Sequence, residues 1–213
     1  MRSLIILALV TAASPACAQL VAPLTTSDGH IACIQGETGI GRPPAWKAVP
    51  DPRALGGWAL AETAGDTTEL HFPICISPQV TALDIEATLR FRPISGTAAR
   101  AAGIVLRAQN ATDYYVVSAN ALDGSVRIFR MQGGRRAQIA AKTTTIATGQ
   151  WHKLQVILVK NDFQVSLDDV PLLKATDRSL PLPGAVGIWS QSDSLVHFGS
   201  LLVQAPTSKG KSP

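Results

Sequence analysis

The chain predicts an all-β fold, an antiparallel sandwich of roughly a dozen short strands. Three observations carry this: residues 149–169 read as an amphipathic hairpin, turn signals recur at short intervals, and no helix-period segment competes beyond residue 18. In the hairpin Leu154, Val156 and Leu158 alternate with Lys153, Gln155 and Ile157. After an Asn161-Asp162 turn, Phe163, Val165 and Leu167 alternate with Gln164, Ser166 and Asp168. These apolar residues, together with Trp151, are expected to form core.

At 213 residues, 46% hydrophobic and 16% charged, the chain can bury a sizeable core and is most simply one domain. Its formal charge is +4, with the basic residues scattered apart from Arg135-Arg136. Nucleic-acid binding would want a clustered basic stripe, so no nucleic-acid partner is expected. Arg2, the apolar run over residues 4–10 and Ala16-Cys17-Ala18 read as a secretory leader cut after Ala18. Ser14 stands where a lipobox usually has leucine, which argues against acylation of Cys17 and for a soluble periplasmic or extracellular protein. The apolar run is too short to span a bilayer comfortably, and no stable membrane insertion is expected. Removing the leader leaves Cys33 and Cys75, an even pair in an exported chain, expected to form a disulfide.

Residues 19–57 are rich in Pro, Gly and Thr and read as loops and short strands, with Trp46 and Trp58 anchoring this wrap on the sandwich. Residues 68–76 and 81–92 read as the first long strands. In the second, Leu83, Ile85, Ala87, Leu89 and Phe91 share one face, and Asp84, Glu86, Thr88, Arg90 and Arg92 the other. Residues 102–109 and 114–120 flank an Asn-Ala-Thr-Asp turn. Asp123-Gly124 and Gly133-Gly134 mark further hairpin turns, making residues 125–131 and 135–141 a meander. Residues 184–190 and 193–203 close the domain, which spans residues 19–204, and residues 205–213 read as a disordered tail.

The spelling Trp-His-x-Leu-x-Val, a turn, then x-Val-x-Leu-Asp resembles the central hairpin of concanavalin A-like jelly rolls, among them laminin G-like domains and 3-keto-disaccharide hydrolase domains. The phrase from Gly103 through Arg107-Ala108 to Tyr114-Tyr115 is similar to stand-alone members of the same group. The resemblance covers about residues 81–203. It implies an antiparallel jelly-roll β-sandwich in which the first and last strands lie in one sheet, so that the ends of the domain meet.

A family-sixteen glycosidase would need Glu-x-Asp-x-x-Glu along one strand face. Only Asp84-Ile85-Glu86 is present, followed on that face by Thr88. A solvated polar face is the better reading of that pair, and no catalytic residue is assigned. The four histidines, His30, His71, His152 and His197, show no short metal spacing, and His152 is expected to pack or cap. Laminin G-like relatives imply calcium at acidic rim loops, for which Asp113, Asp123 and Asp193 are the candidates. A turn aspartate ordinarily serves its own backbone, so no cofactor or metal is expected.

What remains is the open side of the strands. Counting alternation puts Arg107 beside Val105, Tyr114 with Val116 and Ser118, Arg127 with Phe129, and Trp189 with Gly187 and Gln191. On one concave sheet these four would offer aromatic faces and bidentate donors to a glycan; the plain alternative is ordinary outward residues. The sequence therefore reads as an exported, non-catalytic module binding carbohydrate. The alternatives are a glycoside-cleaving enzyme of the 3-keto-disaccharide hydrolase type, implied by the resemblance, and a structural module without a small ligand. Oligomeric state is not readable from the sequence.

Overall fold

The computed structural model describes residues 20–22, 24 and 30–206. The leader over residues 1–18, Cys17 within it, and residues 207–213 of the tail lie outside the described residues. The described residues form fifteen strands and a single short 3-10 turn at Leu55–Gly57. The first half of the chain supplies β1 Leu20–Ala22, β2 Ile34–Gly39, β3 Trp46–Pro50, β4 Trp58–Glu62, β5 His71–Ala82, β6 Ile85–Ser95 and β7 Ala101–Asn110. The second half supplies β8 Asp113–Asn120, β9 Ser125–Gln132, β10 Arg135–Thr143, β11 His152–Val159, β12 Asp162–Leu167, β13 Val170–Thr176, β14 Gly184–Ser190 and β15 Leu195–Gln204.

Two antiparallel sheets pack as a jelly-roll sandwich. One has eight strands in the order β13-β12-β11-β6-β15-β4-β3, with β1 also on β15; the other has seven, β10-β9-β8-β7-β14-β5-β2. The pairing of β1 with β15 brings the ends of the domain together, as expected of this topology. The two closing strands do not pair with each other, because β14 joins the seven-stranded sheet and β15 the eight-stranded one.

The hairpin at residues 152–167 has the expected core face. Leu154 pairs with Leu167, Val156 with Val165 and Leu158 with Phe163, all buried between the sheets against Ile85, Ala87, Leu89 and Phe91 of β6. Its turn falls one residue earlier than read: Lys160 takes the positive φ and β12 begins at Asp162. At the next turn Asp168 and Asp169 both adopt positive φ, doing without glycine because Asp168 also receives the Lys153 amide and His152. His152 is buried between Asp168 and the Ala147 carbonyl, a capping role as expected.

Trp151 is not core. It lies half-buried on the outer face of the eight-stranded sheet, flanked by the guanidinium groups of Arg90 and Arg92 at 5.3 and 5.8 Å. A Cβ at Gly199 would come within 2.9 Å of its ring, so that glycine makes room for the indole. Leu83 also departs from expectation: it sits exposed in the turn between β5 and β6 rather than in the apolar row. Trp46 anchors the N-terminal wrap as expected, buried edge-on against Phe198, while Trp58 is half-buried.

Cys33 and Cys75 are joined, with 5.4 Å between their Cα atoms, tying the segment before β2 to β5. For a sequence separation of 42 the chain-entropy model gives about 4 kcal/mol. Reduction or Cys75→Ala should therefore lower the midpoint of thermal unfolding by roughly 10 °C. An unchanged midpoint, or two alkylatable thiols in the unreduced protein by intact mass, would contradict this.

Candidate functional site

The outward face of the seven-stranded sheet is where Tyr114, Arg127 and Trp189 come together. Register pairing places Ile74 against Trp189, Trp189 against Gly103, Gly103 against Ser118 and Ser118 against Arg127. Tyr114 and Arg136 share this face through Met131, the register partner of both. Arg107 does not join them. It carries φ 51° at a bulge between Leu106 and Asn110, which breaks the alternation and turns its side chain away. Its buried guanidinium donates to the carbonyls of Leu83, Leu180 and Lys160, with Asp84 at 3.9 Å. Burial lowers its pKa, opposed by nearby Tyr115 and Asp84.

The face curls strongly. Thr38 of β2 reaches Tyr114 of β8 across three intervening strands, its hydroxyl 2.9 Å from the phenol and also bonded to the Ala111 carbonyl. Arg136 of β10 extends to Phe72 of β5, with its guanidinium 4.6 Å from that ring and 4.8 Å from Phe129. Beneath it Phe72 and Trp189 stack at 5.6 Å with 19° between planes. The curl thus gathers Phe72, Ile74, Val105, Tyr114, Val116 and Trp189 into a second apolar cluster, separate from the core between the sheets. Gly103 is required there, since a Cβ would meet Val116 at 2.8 Å and Trp189 at 3.1 Å.

Tyr114 and Trp189 are therefore fully buried, forming the floor beneath a lid rather than an open platform. The accessible part is a rim: Arg127, 30% exposed and 2.7 Å from Asp123, half-buried Arg136 and half-buried Gln191, whose amide oxygen faces Arg136 at 3.4 Å. Cation–π contact of the Arg136 kind is worth about 0.5–2 kcal/mol, enough to hold the guanidinium over the rings while leaving N–H groups for a ligand. At the other end of the face, beyond Thr38, small residues leave a hollow of about 230 Å³ lined by Ile34, Gly36, Ile74, Ile76, Ala108 and Ala185. Arg136 is the rim residue that strand counting passed over. Its place opposite Met131 on the Gly133-Gly134 hairpin was available from the turn signal alone.

Asp113, Asp123 and Asp193 are taken up by hydrogen bonds of loops, Asp123 within its own and Asp113 and Asp193 across to neighbouring ones. Asp113 takes the Gly133 amide, Asp123 takes Ser125 and Arg127, and Asp193 takes the backbone amides of Thr97, Ala98 and Ala99 with the Thr97 hydroxyl. Partial burial alone would raise the Asp193 pKa, but these donors hold it below the ordinary carboxylate value. Among the described residues no group of three His, Cys, Asp or Glu is placed to hold a metal ion. Asp84 accepts the Lys160 amide at 2.7 Å, and Glu86, buried rather than solvated, accepts the Gln155 amide at 2.8 Å.

The chain has only two tyrosines, and both are buried. Desolvation pushes Tyr114 up to about 12, opposed by Thr38, and pushes Tyr115 up to about 12, reinforced by Asp177. A folded pKa above the unfolded one means that the neutral phenol is favoured by folding. The associated stability is complete below about pH 10 and is lost as pH rises toward 12. Alkaline titration followed by phenolate absorbance should show neither tyrosine ionising near pH 10. Half the phenolate signal appearing there would contradict the burial of one of them.

The laminin G domain family model matches residues 97–213, more than half of the chain. No curated protein matches the chain by sequence. Among solved structures the chain is similar to the carbohydrate binding module CBM66 from Bacillus subtilis, at 18% identity and a TM-score of 0.62, covering 80% of this chain and 98% of that one. It is also similar to domain 4 of AbnA, a GH43 extracellular arabinanase from Geobacillus stearothermophilus solved with arabinotriose, at 13% identity, a TM-score of 0.55, and 80% and 82% coverage. A Bacillus subtilis protein of unknown function with a galectin-like fold gives 13% identity and a TM-score of 0.55 over 80% and 88%. At these identities the structural likenesses establish the fold, and the family match assigns the chain more narrowly: it belongs to the laminin G domain family, within the concanavalin A-like jelly-roll superfamily.

Proposed function

We propose that this domain is an exported, non-catalytic carbohydrate-binding module whose ligand sits on the rim of the curled seven-stranded sheet. The observation that carries the reading is Arg136, held over Phe72 and Phe129 beside Gln191 and close to the arginine at 127. Planar donors backed by aromatic rings suit the hydroxyls and C–H faces of a sugar. The same fold serves as a carbohydrate binding module in CBM66, and as an arabinanase domain solved with arabinotriose in AbnA. Export is supported by the leader-like start and by the Cys33–Cys75 disulfide, which oxidising compartments favour. No helix among the described residues is long and apolar enough to cross a membrane. Against hydrolysis stand Asp84 and Glu86, each engaged by a neighbouring amide.

A broad glycan array on the folded protein tests the reading. At least one saccharide should bind, and Arg127→Ala should weaken it by about threefold in calorimetry, the scale of a part-exposed charged contact. An array with no binder would overturn carbohydrate recognition, and unchanged affinity in Arg127→Ala would move the site off this rim.

A further inference from the structure

The other sheet carries a hollow of its own, on the outer side of β11, β12 and β13. Register sets two rows across these strands: Gln155 beside Ser166 beside Pro171, and Ile157 beside Gln164 beside Lys174. Leu154, Val156, Leu158, Val165 and Leu167, which alternate with them, are buried in the core, so the rows face outward. Between the two pairings β13 holds one extra residue, Leu172, and a strand bulged in this way bends. The result is a cleft of about 450 Å³, lined by all six row residues with Leu172 and Asp169. That volume falls in the range of about 300–1,000 Å³ typical of small-molecule sites.

The lining divides by chemistry. Ser166 donates to Gln155 Oε1 at 3.2 Å, and Gln155 Nε2 donates to Glu86 at 2.8 Å. These bonds orient the half-buried Gln155 amide and leave its second N–H for a ligand. Gln164 and Lys174 are exposed, and among the described residues their side chains form neither a hydrogen bond nor an ion pair. Asp169, the acid of the lining, is held by Lys153. The uncompensated charge of the cleft is therefore the Lys174 ammonium, beside a free amide. Ile157, Pro171 and Leu172 supply apolar surface next to these donors. A cation is opposed by Lys174, and a wholly apolar molecule by the two amides and the Ser166 hydroxyl.

We propose that this cleft is a second binding site, for a uronate sugar unit: its carboxylate meets Lys174 and Gln164, its C–H face lies on Ile157 and Leu172, and its hydroxyls reach Gln155 and Ser166. The site is on the sheet opposite the curled face and does not rest on the role given to Arg136. An ammonium paired with a carboxylate is the strongest of these contacts, and solvent at the open cleft limits it to the scale of an exposed ion pair. Lys174→Gln, on an exposed position of an edge strand, should weaken binding about threefold without changing the thermal midpoint.

The test follows the side-chain amide signals of Gln155 and Gln164 in uniformly labelled full-length protein during NMR titration. The probes are the methyl glycosides of D-glucuronate and D-galacturonate, with methyl D-glucoside as the neutral comparison and acetate as the carboxylate without a ring. Both glutamine signals should shift saturably with at least one uronide, at an affinity that falls as salt rises. The glucoside and acetate should each bind at least threefold more weakly. Lys47→Gln, which removes a charge from β3 at the far edge of the same sheet, should keep the parent's affinity. Glutamine signals unmoved by both uronides, moved as readily by the glucoside or by acetate, or titrating identically in Lys174→Gln would overturn the proposal. A saccharide bound at the Arg136 rim alone leaves both signals in place, so failure of the cleft is distinguishable from failure of the rim.

Discussion

Val156→Asp is expected to leave the protein unfolded at room temperature. Val156 is fully buried, flanked in the sheet by Ala87 and Val165, at the centre of the core between the two sheets. The cluster around it is apolar, so the charge has neither water nor a partner. Such an introduction costs more than about 5 kcal/mol, comparable to the entire stability of an ordinary domain. Circular dichroism and a thermal melt decide the matter. A folded variant with a midpoint close to the parent's would show that the hairpin's register is wrong.

The second large effect is expected for Arg107→Ala, through stability rather than ligand binding. The substitution removes donors from the carbonyls of Leu83, Leu180 and Lys160 and leaves a void at the end of the sandwich. At about 1 kcal/mol or more for each orphaned carbonyl, the loss is about 3 kcal/mol. The melting midpoint should fall by roughly 10 °C. Saccharide affinity per folded molecule should stay at the parent's value. The opposite pattern, an unchanged midpoint with binding lost, would return Arg107 to the ligand site.

Period-two counting found the core row of the central hairpin and the outward side of Tyr114, Arg127 and Trp189 within their own strands, because both depend only on local alternation; that these strands share one sheet rests on the long-range pairing of β14 with β7. It failed at Arg107, where one residue with positive φ in a bulge resets the alternation, and nothing in Leu106-Arg107-Ala108 announces the bulge. Trp151 was legible and misread. Its odd number places it with Lys153 and Gln155, opposite the buried row of His152, Leu154 and Val156. The closing of the curled face was out of reach of local pattern, since it depends on β10 reaching β5 and β2 reaching β8 across several strands of one sheet. That long-range curl turns Tyr114 and Trp189 from a surface into a floor.

The proposed glycan site stands on Arg136, held over Phe72 and Phe129, as the source of ligand-binding donors on the curled face. Calorimetry of Arg136→Ala and Arg136→Lys with the saccharide selected on the array tests it most directly. Affinity should fall roughly tenfold in the alanine variant and not recover with lysine, whose point charge lacks the planar donor fork. Parent-like affinity in folded Arg136→Ala would contradict the claim.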